Sequence, residues 1–309
     1  IPAILAIIGV GAAHLAANIL DDYFDYKADM LSDRDKVVRK GFRAMMVKYP
    51  YLTDGSQTLA TTRKAIANFA IVALLCGGII FAMRTFAQGF LTPGGSWWII
   101  ALTAVTAFLS YFYSAPPLKI AYHGLGELEI GLIFGPLLMT GVYYSACGSV
   151  DWSIAFISVP LGILVLNILF THSFIDMEGD RECGKMTFAL LLGSKKACLI
   201  ASLIINTLPY IIIITAVSLK ILHPLYLLTL LAAGRSVWLC VSLVKFYKGD
   251  PSVPAVPPRW LGPMMKDWNQ VREAGIDWFL MRWMTARNII STFCLMTMVT
   301  KIILTIIAK

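Results

Sequence analysis

The chain has 309 residues, of which 58% are hydrophobic and only 14% charged, and its formal net charge is +8. A soluble domain of this size usually carries about 25% charged residues, and one core could not bury this apolar surplus. The composition therefore argues against a water-soluble protein. The six cysteines are scattered and contain no CxxC pair, which argues against a disulfide framework and a zinc site.

Apolar blocks recur along the chain, and each has about 18 to 25 residues, the length that crosses a bilayer as a helix. Gly and Pro residues mark the breaks between them, as at 92–95 and 115–117. The pattern predicts an all-α integral membrane protein with a single transmembrane domain over 1–309. The eight predicted transmembrane helices cover residues 2–20, 65–84, 97–113, 127–147, 153–172, 196–216, 222–245 and 286–308.

The basic residues are distributed unevenly between the two sides that eight helices define. Of the 26 Lys and Arg residues, 21 lie in or beside the connections of one side. By the positive-inside rule this side is cytoplasmic, in an inner or plasma membrane. The net charge is thus a topology signal, and we expect no nucleic-acid partner. The cytoplasmic connections are 26–64, 114–126, 173–195 and 246–285, and the first and last are long loops that suit short interfacial helices or solvated linkers.

The first predicted helix ends in four carboxylates within nine residues. Such carboxylates repel one another, and an Asp deep in hydrocarbon costs about 2.5–3.5 kcal/mol. The helix dipole also opposes them, because they lie at a C-terminal end. A divalent cation removes the repulsion, and Mg²⁺ in particular bridges carboxylates to phosphates, so we favour a metal site over a solvated helix end. At a spacing of four the polar residues form two stripes, Asp21, Asp25 and Asp29 in one and His14, Asn18 and Asp22 in the other.

A second acidic cluster follows the fifth predicted helix on the same side of the membrane. His172, Asp176 and Asp180 are again spaced by four. Two carboxylate clusters at one membrane edge can face each other across a pocket, each holding one Mg²⁺, with a diphosphate between them. Such a site stabilises the charge that builds on a departing diphosphate. The basic residues available on that side for the outer phosphate oxygens are Lys119, Arg181 and Lys185.

Together the two acidic motifs resemble those of the UbiA superfamily of intramembrane prenyltransferases. Asp21-Asp22-Tyr-Phe-Asp25-Tyr-Lys-Ala-Asp29 matches its first motif, Asn-Asp-x-x-Asp-x-x-x-Asp, and Asp176-Met-Glu-Gly-Asp180 matches its second, Asp-x-x-x-Asp. Residues 113–119 resemble the loop after the family's fourth helix. The likeness covers most of the chain. Three further segments resemble the branch that prenylates 1,4-dihydroxy-2-naphthoate for menaquinone, and these are Gly124–Glu127, Gly141–Tyr144 and Gly184–Thr187.

The sequence departs from the family pattern in a few places. The family has nine helices, the first with an Arg-Pro segment, whereas this sequence shows eight and starts where the second would start. We therefore expect that the first helix is absent from this sequence. Asp21 stands where the family usually has Asn, and His172 and Ile175 stand where the quinone branch often has Asn and Arg. These changes leave the metal chemistry intact and the acceptor open.

The resemblance implies a UbiA-like helical bundle in which Mg²⁺, as two ions, assists the ionisation of an allylic prenyl diphosphate. An electron-rich carbon of a lipophilic, aromatic acceptor then attacks the allylic cation, within the lipid bilayer. The implied catalytic residues, which are also metal ligands, are Asp22, Asp25, Asp29, Asp176 and Asp180, and Asp21 is implied as a further residue of the metal shell. The implied substrate-binding residues are Asn18, Tyr113, Lys119, Tyr143, Tyr144, His172, Arg181 and Lys185, although ordinary packing explains the tyrosines equally well.

Several alternatives stay open at this point. Another UbiA-type acceptor, a chlorophyllide or a glyceryl phosphate lipid, is compatible with the same motifs. A cation-coupled transporter is disfavoured, because transporters place their sites near the bilayer midplane and both clusters here are predicted at one edge. Arg235 lies in the middle of an apolar block, where it needs a partner, either in a salt bridge or in a substrate.

Overall fold

The computed structural model of the chain describes residues 1–30, 49–182 and 184–307, and the side chains of the same residues except 28–30. The centre of the predicted loop 26–64 and the side chain of Asp29 thus lie outside the described residues. Every regular element in the described part is a helix. The α-helices are α1 (Pro2–Met30), α2 (Pro50–Thr53), α3 (Leu59–Gln88), α4 (Trp97–Phe112), α5 (Gly126–Leu132), α6 (Leu138–Cys147), α7 (Ala155–Ile175), α8 (Met177–Glu182), α9 (Phe188–Leu191), α10 (Lys195–Ser218), α11 (Ala233–Tyr247), α12 (Trp268–Glu273) and α13 (Asp277–Ile307).

Seven helical segments in the described part are long and apolar enough to cross a membrane, and α4 is a shorter apolar helix. This confirms the prediction of an all-α integral membrane protein with eight membrane helices. Two helices extend well beyond the apolar pattern at one end, and α3 extends by less at each of its ends. α1 continues to Met30 and α13 begins at Asp277, because backbone hydrogen bonds do not stop where apolar side chains give way to charged ones.

Two of the spans are not regular α-helices throughout. The fourth runs from α5 through a π-helical turn, Ile133–Leu137, into α6, and the turn contains Pro136. Proline has no N–H for the i−4 carbonyl and its ring displaces that carbonyl, so the ladder widens locally. The seventh begins as a 3₁₀ helix, Pro224–Ala232, and becomes α11.

Contacts divide the chain into two compact units, and the first comprises residues 1–123 and 137–152. In this unit α1 packs along α3 and also contacts α4 and α6. Gly9 permits the close approach of α1, since a Cβ at that position would lie 3.0 Å from the Cβ of Cys76. The unit thus presents the acidic end of α1 on a scaffold of long helices.

The second unit comprises residues 124–136 and 153–309, and α7 lies at its centre. α5, α10 and α13 all pack against α7. Glycines bring α5 and α7 together, because a Cβ on Gly131 would lie 3.0 Å from the carbonyl oxygen of Gly162. Asn167 and Asn206 exchange side-chain amide hydrogen bonds of 3.0 and 3.1 Å, which satisfies both polar groups in the buried core.

Arg235 finds backbone partners in the second unit rather than an acidic side chain. Its Nε donates to the carbonyl of Trp260 at 2.9 Å and its Nη1 donates to the carbonyl of Asn288 at 3.2 Å. Asn288 in turn donates to the carbonyl of Leu261 at 3.0 Å. Since α11 ends at Tyr247, about 18 Å beyond Arg235 along the helix, the following connection folds back towards Arg235. The structure thus gives Arg235 backbone partners in place of the predicted salt bridge, and its predicted contact with a substrate stays a prediction.

Candidate active site

The two stripes of polar residues on α1 meet two different segments of the first unit. Asp21 accepts a hydrogen bond from the hydroxyl of Ser114, and Asp25 accepts one from the hydroxyl of Tyr122 at 2.5 Å. Asp22, on the other stripe, accepts one from the hydroxyl of Tyr51 at 2.6 Å. A separate hydroxyl group therefore contacts each of the three carboxylates, and sequence spacing alone did not reveal any of these donors.

Residues 113–123, which follow α4 and contain the partners of Asp21 and Asp25, form a compact segment in which the chain reverses direction. The carbonyl of Tyr113 accepts from the N–H of Ala121 at 2.9 Å, and the N–H of Lys119 donates to the carbonyl of Ala115 at 3.0 Å. Lys119 has a positive φ of 43°, which turns the chain back towards α1. Its Nζ lies 5.5 Å from the centre of the Tyr122 ring, so the predicted phosphate-binding cation is near Asp25.

Asn18 continues the stripe of Asp22 towards the membrane interior. Its side-chain amide lies 3.2 Å from Nε2 of His14, one helical turn earlier. This is the contact that a spacing of four on a continuous helix predicts. Asn18 therefore lies one turn from Asp22 in a polar stripe, as its predicted role beside the metal requires.

The second motif, Asp176 to Asp180, lies at the junction between two helices. α7 ends at Ile175, Asp176 caps it with an N–H bond of 3.0 Å to the carbonyl of His172, and α8 follows. The carbonyl of Asp180 then accepts from the N–H of Lys185 at 2.9 Å, which closes the turn after α8. The side chains of Asp176 and Asp180 are almost fully buried, with exposed fractions of 7% and 2%.

Glu127 ties both ends of the second motif together. One carboxylate oxygen accepts from the hydroxyl of Ser173 at 2.7 Å, one turn before Asp176. Both oxygens lie 3.2 Å from the backbone N–H of Phe188, just after the motif. Glu127 was part of a sequence resemblance, but its partners are 46 and 61 residues away, so only the fold shows that it positions the segment between them.

Of the other predicted residues around this motif, Arg181 lies on an exposed surface and pairs with Glu178 at 3.1 Å. Lys185 is exposed at the closing turn. The ring of His172 packs edge-on against Phe279, with 5.1 Å between ring centres. Their predicted substrate contacts stay predictions.

Tyr143 and Tyr144 lie at the far end of the first unit from Asp22. Tyr144 is buried and its hydroxyl donates to the carbonyl of Gly94 at 2.9 Å, beyond the C-terminal end of α3. Tyr51 lies beside the N-terminal end of the same helix, which is about 45 Å long at 1.5 Å per residue. This position does not favour the predicted contact of the two tyrosines with an allylic cation.

The predicted metal chemistry fits the donor set of these motifs. Among the residues with described side chains, no three His, Cys, Asp or Glu groups converge into a cluster that could hold an ion by themselves. Mg²⁺ does not require one, because it usually binds one or two carboxylates, keeps several waters and takes the rest of its ligands from substrate phosphates. Carboxylates that are already oriented by hydroxyl groups suit that kind of site.

Comparison with known proteins agrees with the motifs. Residues 2–256 match the profile of the UbiA prenyltransferase family. The chain belongs to this family. The UbiA match includes both acidic motifs, the segment 113–123 and Glu127, whereas α12 and α13 lie outside it.

Individual members of the UbiA family share part of their sequence with this chain. The chain is similar to 2-carboxy-1,4-naphthoquinone phytyltransferase of Synechocystis, at 33% identity over 180 residues, which is 58% of this chain and 54% of the relative. It is also similar to 1,4-dihydroxy-2-naphthoate octaprenyltransferase of Bacillus subtilis, at 26% identity over 59% of this chain and 52% of the relative. The chain thus matches about half the length of these curated relatives.

Proposed function

We propose that this UbiA protein transfers a prenyl group from an allylic prenyl diphosphate to an aromatic acceptor, with Mg²⁺ as the cofactor. The observation that carries the proposal is the pair of acidic motifs within a chain that matches the family over residues 2–256. Three carboxylates of the first motif are each oriented by a hydroxyl group, and two of the second are buried at a helix break.

In this proposal the first motif binds the metal-bound diphosphate through Asp22, Asp25 and Asp29, with Asp21 and Asn18 as supporting residues. Lys119 contacts the diphosphate and offsets part of its negative charge. When bound, Mg²⁺ supplies the positive charge that stabilises the departing diphosphate. The hydroxyl donors keep the carboxylates in fixed orientations, so little reorganisation accompanies the cleavage of the allylic C–O bond.

Asp176 and Asp180 have the same role on the second motif, and Lys185 provides a further phosphate contact. Buried carboxylates interact more strongly with a cation than exposed ones, because water screens them less. Glu127 holds the helix end and the following segment in place and so keeps these carboxylates where the fold puts them. Arg181 is the least supported of the proposed phosphate contacts, because it pairs with Glu178 on the surface.

We propose 1,4-dihydroxy-2-naphthoate or a close naphthoate relative as the acceptor. The support is the naming of two relatives that share 33% and 26% identity with this chain. Chemistry agrees, because a hydroxylated ring offers an electron-rich carbon to an allylic cation. A water-poor pocket would protect that cation from hydrolysis to the alcohol.

The test is a direct transfer assay with the full chain purified in detergent. The protein is incubated with geranylgeranyl or farnesyl diphosphate, Mg²⁺ and one acceptor at a time, and prenylated products are identified by mass spectrometry. We expect product with 1,4-dihydroxy-2-naphthoate, loss of product with EDTA, and recovery with added Mg²⁺. Product with a chlorophyllide or a glyceryl phosphate, and none with the naphthoate, would refute the acceptor and leave only prenyl transfer.

A further inference from the structure

We propose that Tyr51 is a positioning residue for Asp22, and that its hydroxyl sets the orientation in which this carboxylate binds the metal-bound diphosphate. The inference rests on the proposed function, because it assumes that Asp22 is a metal ligand. It assigns a task to a residue outside both acidic motifs, at the end of the long cytoplasmic loop.

The contact itself is short and specific. The hydroxyl of Tyr51 donates to Oδ2 of Asp22 at 2.6 Å, in the range of a hydrogen bond to an ionised carboxylate. The bond occupies one oxygen of the carboxylate, and Oδ1 has no hydrogen-bond partner among the residues described. A carboxylate held through one oxygen presents the other in a defined direction, which is how outer residues orient metal ligands.

The direction of this hydrogen bond follows from the chemistry of its two groups. An ionised carboxylate can only accept hydrogen bonds, so the Tyr51 hydroxyl is the donor.

The backbone around Tyr51 is anchored without this hydroxyl. Leu52 is buried, and the ring of Tyr49 packs edge-on against Tyr26, with 5.7 Å between ring centres. The carbonyl of Tyr51 accepts from the N–H of Gln57 at 2.8 Å, and Thr58 begins α3 with a capping box. Because these contacts already fix the segment, the phenolic hydroxyl is not needed to hold it and can act on Asp22.

Tyr26 and Asp22 are one helical turn apart on α1, so residues 49–51 follow a single stripe of that helix. Asp21 and Asp25, on the other stripe, accept hydrogen bonds from a different segment, which carries Ser114 and Tyr122. Asp22 is thus the carboxylate whose orientation depends on residues 49–51, and a change at Tyr51 should act through Asp22.

The experiment measures metal binding rather than turnover. Binding of Mn²⁺ to the detergent-purified protein, in the presence of inorganic pyrophosphate, is followed by electron paramagnetic resonance. We expect Tyr51→Phe to raise the Kd for Mn²⁺ about tenfold, the usual cost of losing a partner of a metal ligand. The matched control is Tyr111→Phe, whose ring packs edge-on against Phe24 and whose substitution should leave the Kd unchanged.

The outcomes separate this inference from the proposed function. If the wild type binds Mn²⁺ and Asp25→Asn weakens binding, but Tyr51→Phe stays within twofold of the wild type, Tyr51 is not a positioning residue. A lower thermal stability of Tyr51→Phe at an unchanged Kd gives the same answer. If the wild type does not bind Mn²⁺ with pyrophosphate at all, the metal site of the proposed function is refuted, and this inference with it.

Discussion

The two acidic motifs use the same spacing of four but are built in different ways. The first lies on an unbroken helix, α1, where the helical period brings Asp21 and Asp25 to one stripe and hydroxyl groups from elsewhere in the chain meet them. The second lies across the end of α7 and the short α8, where both aspartates are buried. The helical period aligns the aspartates of the first motif, whereas the second motif depends on a folded segment that Glu127 holds at both ends.

The largest contrast we predict is all-or-none and concerns the side of the membrane on which the connections next to the two motifs lie. With native cysteines other than Cys147 replaced, a cysteine introduced at the exposed Ser56 or Ser252 should be labelled only from the cytoplasmic side. The exposed Cys147 should be labelled only from the other side. If the cysteines at positions 56 and 252 were labelled from opposite sides, the predicted number of membrane helices between them would be wrong.

Loss of one carboxylate should have the next largest effect, and it should be similar in both motifs. We expect Asp25→Asn and Asp180→Asn each to lower turnover about a hundredfold or more, because charge stabilisation of the leaving group is lost. The assay is product formation at saturating Mg²⁺. The control is Glu178→Gln, which removes the exposed ion pairs of Glu178 with Arg181 and Lys195 and should change turnover little. Full activity of either Asp variant would rule out that motif as a metal site.

Glu127→Gln should distinguish the two motifs, since only the second depends on this residue. We expect the concentration of Mg²⁺ needed for half-maximal activity to rise about tenfold, with a loss of stability of about 1.5–3 kcal/mol from weakened charge-assisted bonds. Thermal unfolding and Mg²⁺ titration measure the two effects.

The matched control is Glu129→Gln on the same helix. Glu129 is equally buried, at 5% exposure, but neither of its carboxylate oxygens has a hydrogen-bond partner within the described part of the chain. Removing an unpartnered buried acid should be neutral or stabilising. Equal effects of the two substitutions would contradict the positioning role of Glu127.

The smallest effect is expected far from both motifs, at Tyr144. Tyr144→Phe removes the hydrogen bond to the carbonyl of Gly94 and should cost about 1 kcal/mol of stability, because it leaves that carbonyl unsatisfied. Turnover and KM should stay within twofold of the wild type. A large rise in KM for the prenyl diphosphate would indicate that Tyr144 contacts the substrate, which its position in the fold does not favour.

Most of the fold could be predicted from the sequence, because a bilayer imposes a length and a composition on every helix that crosses it. The eight apolar blocks and the acidic stripes on α1 followed from counting residues. The ends of α1 and α13 could not be found in this way, since both helices continue through charged residues. The 3₁₀ start of the seventh span could not be found either, because the apolar pattern of Pro224–Ala232 does not distinguish a 3₁₀ helix from an α-helix.

Within the candidate site, the sequence alone indicated the residues that we propose for the chemistry, because carboxylates at a helical spacing can be found by counting positions. Tertiary structure alone decided what holds them. Tyr51 is 29 residues from Asp22, Tyr122 is 97 from Asp25, and Glu127 is 46 from Ser173. Helical periodicity acts over four residues, whereas these hydrogen bonds form only after packing brings distant segments together. No local pattern in the sequence could therefore have indicated them.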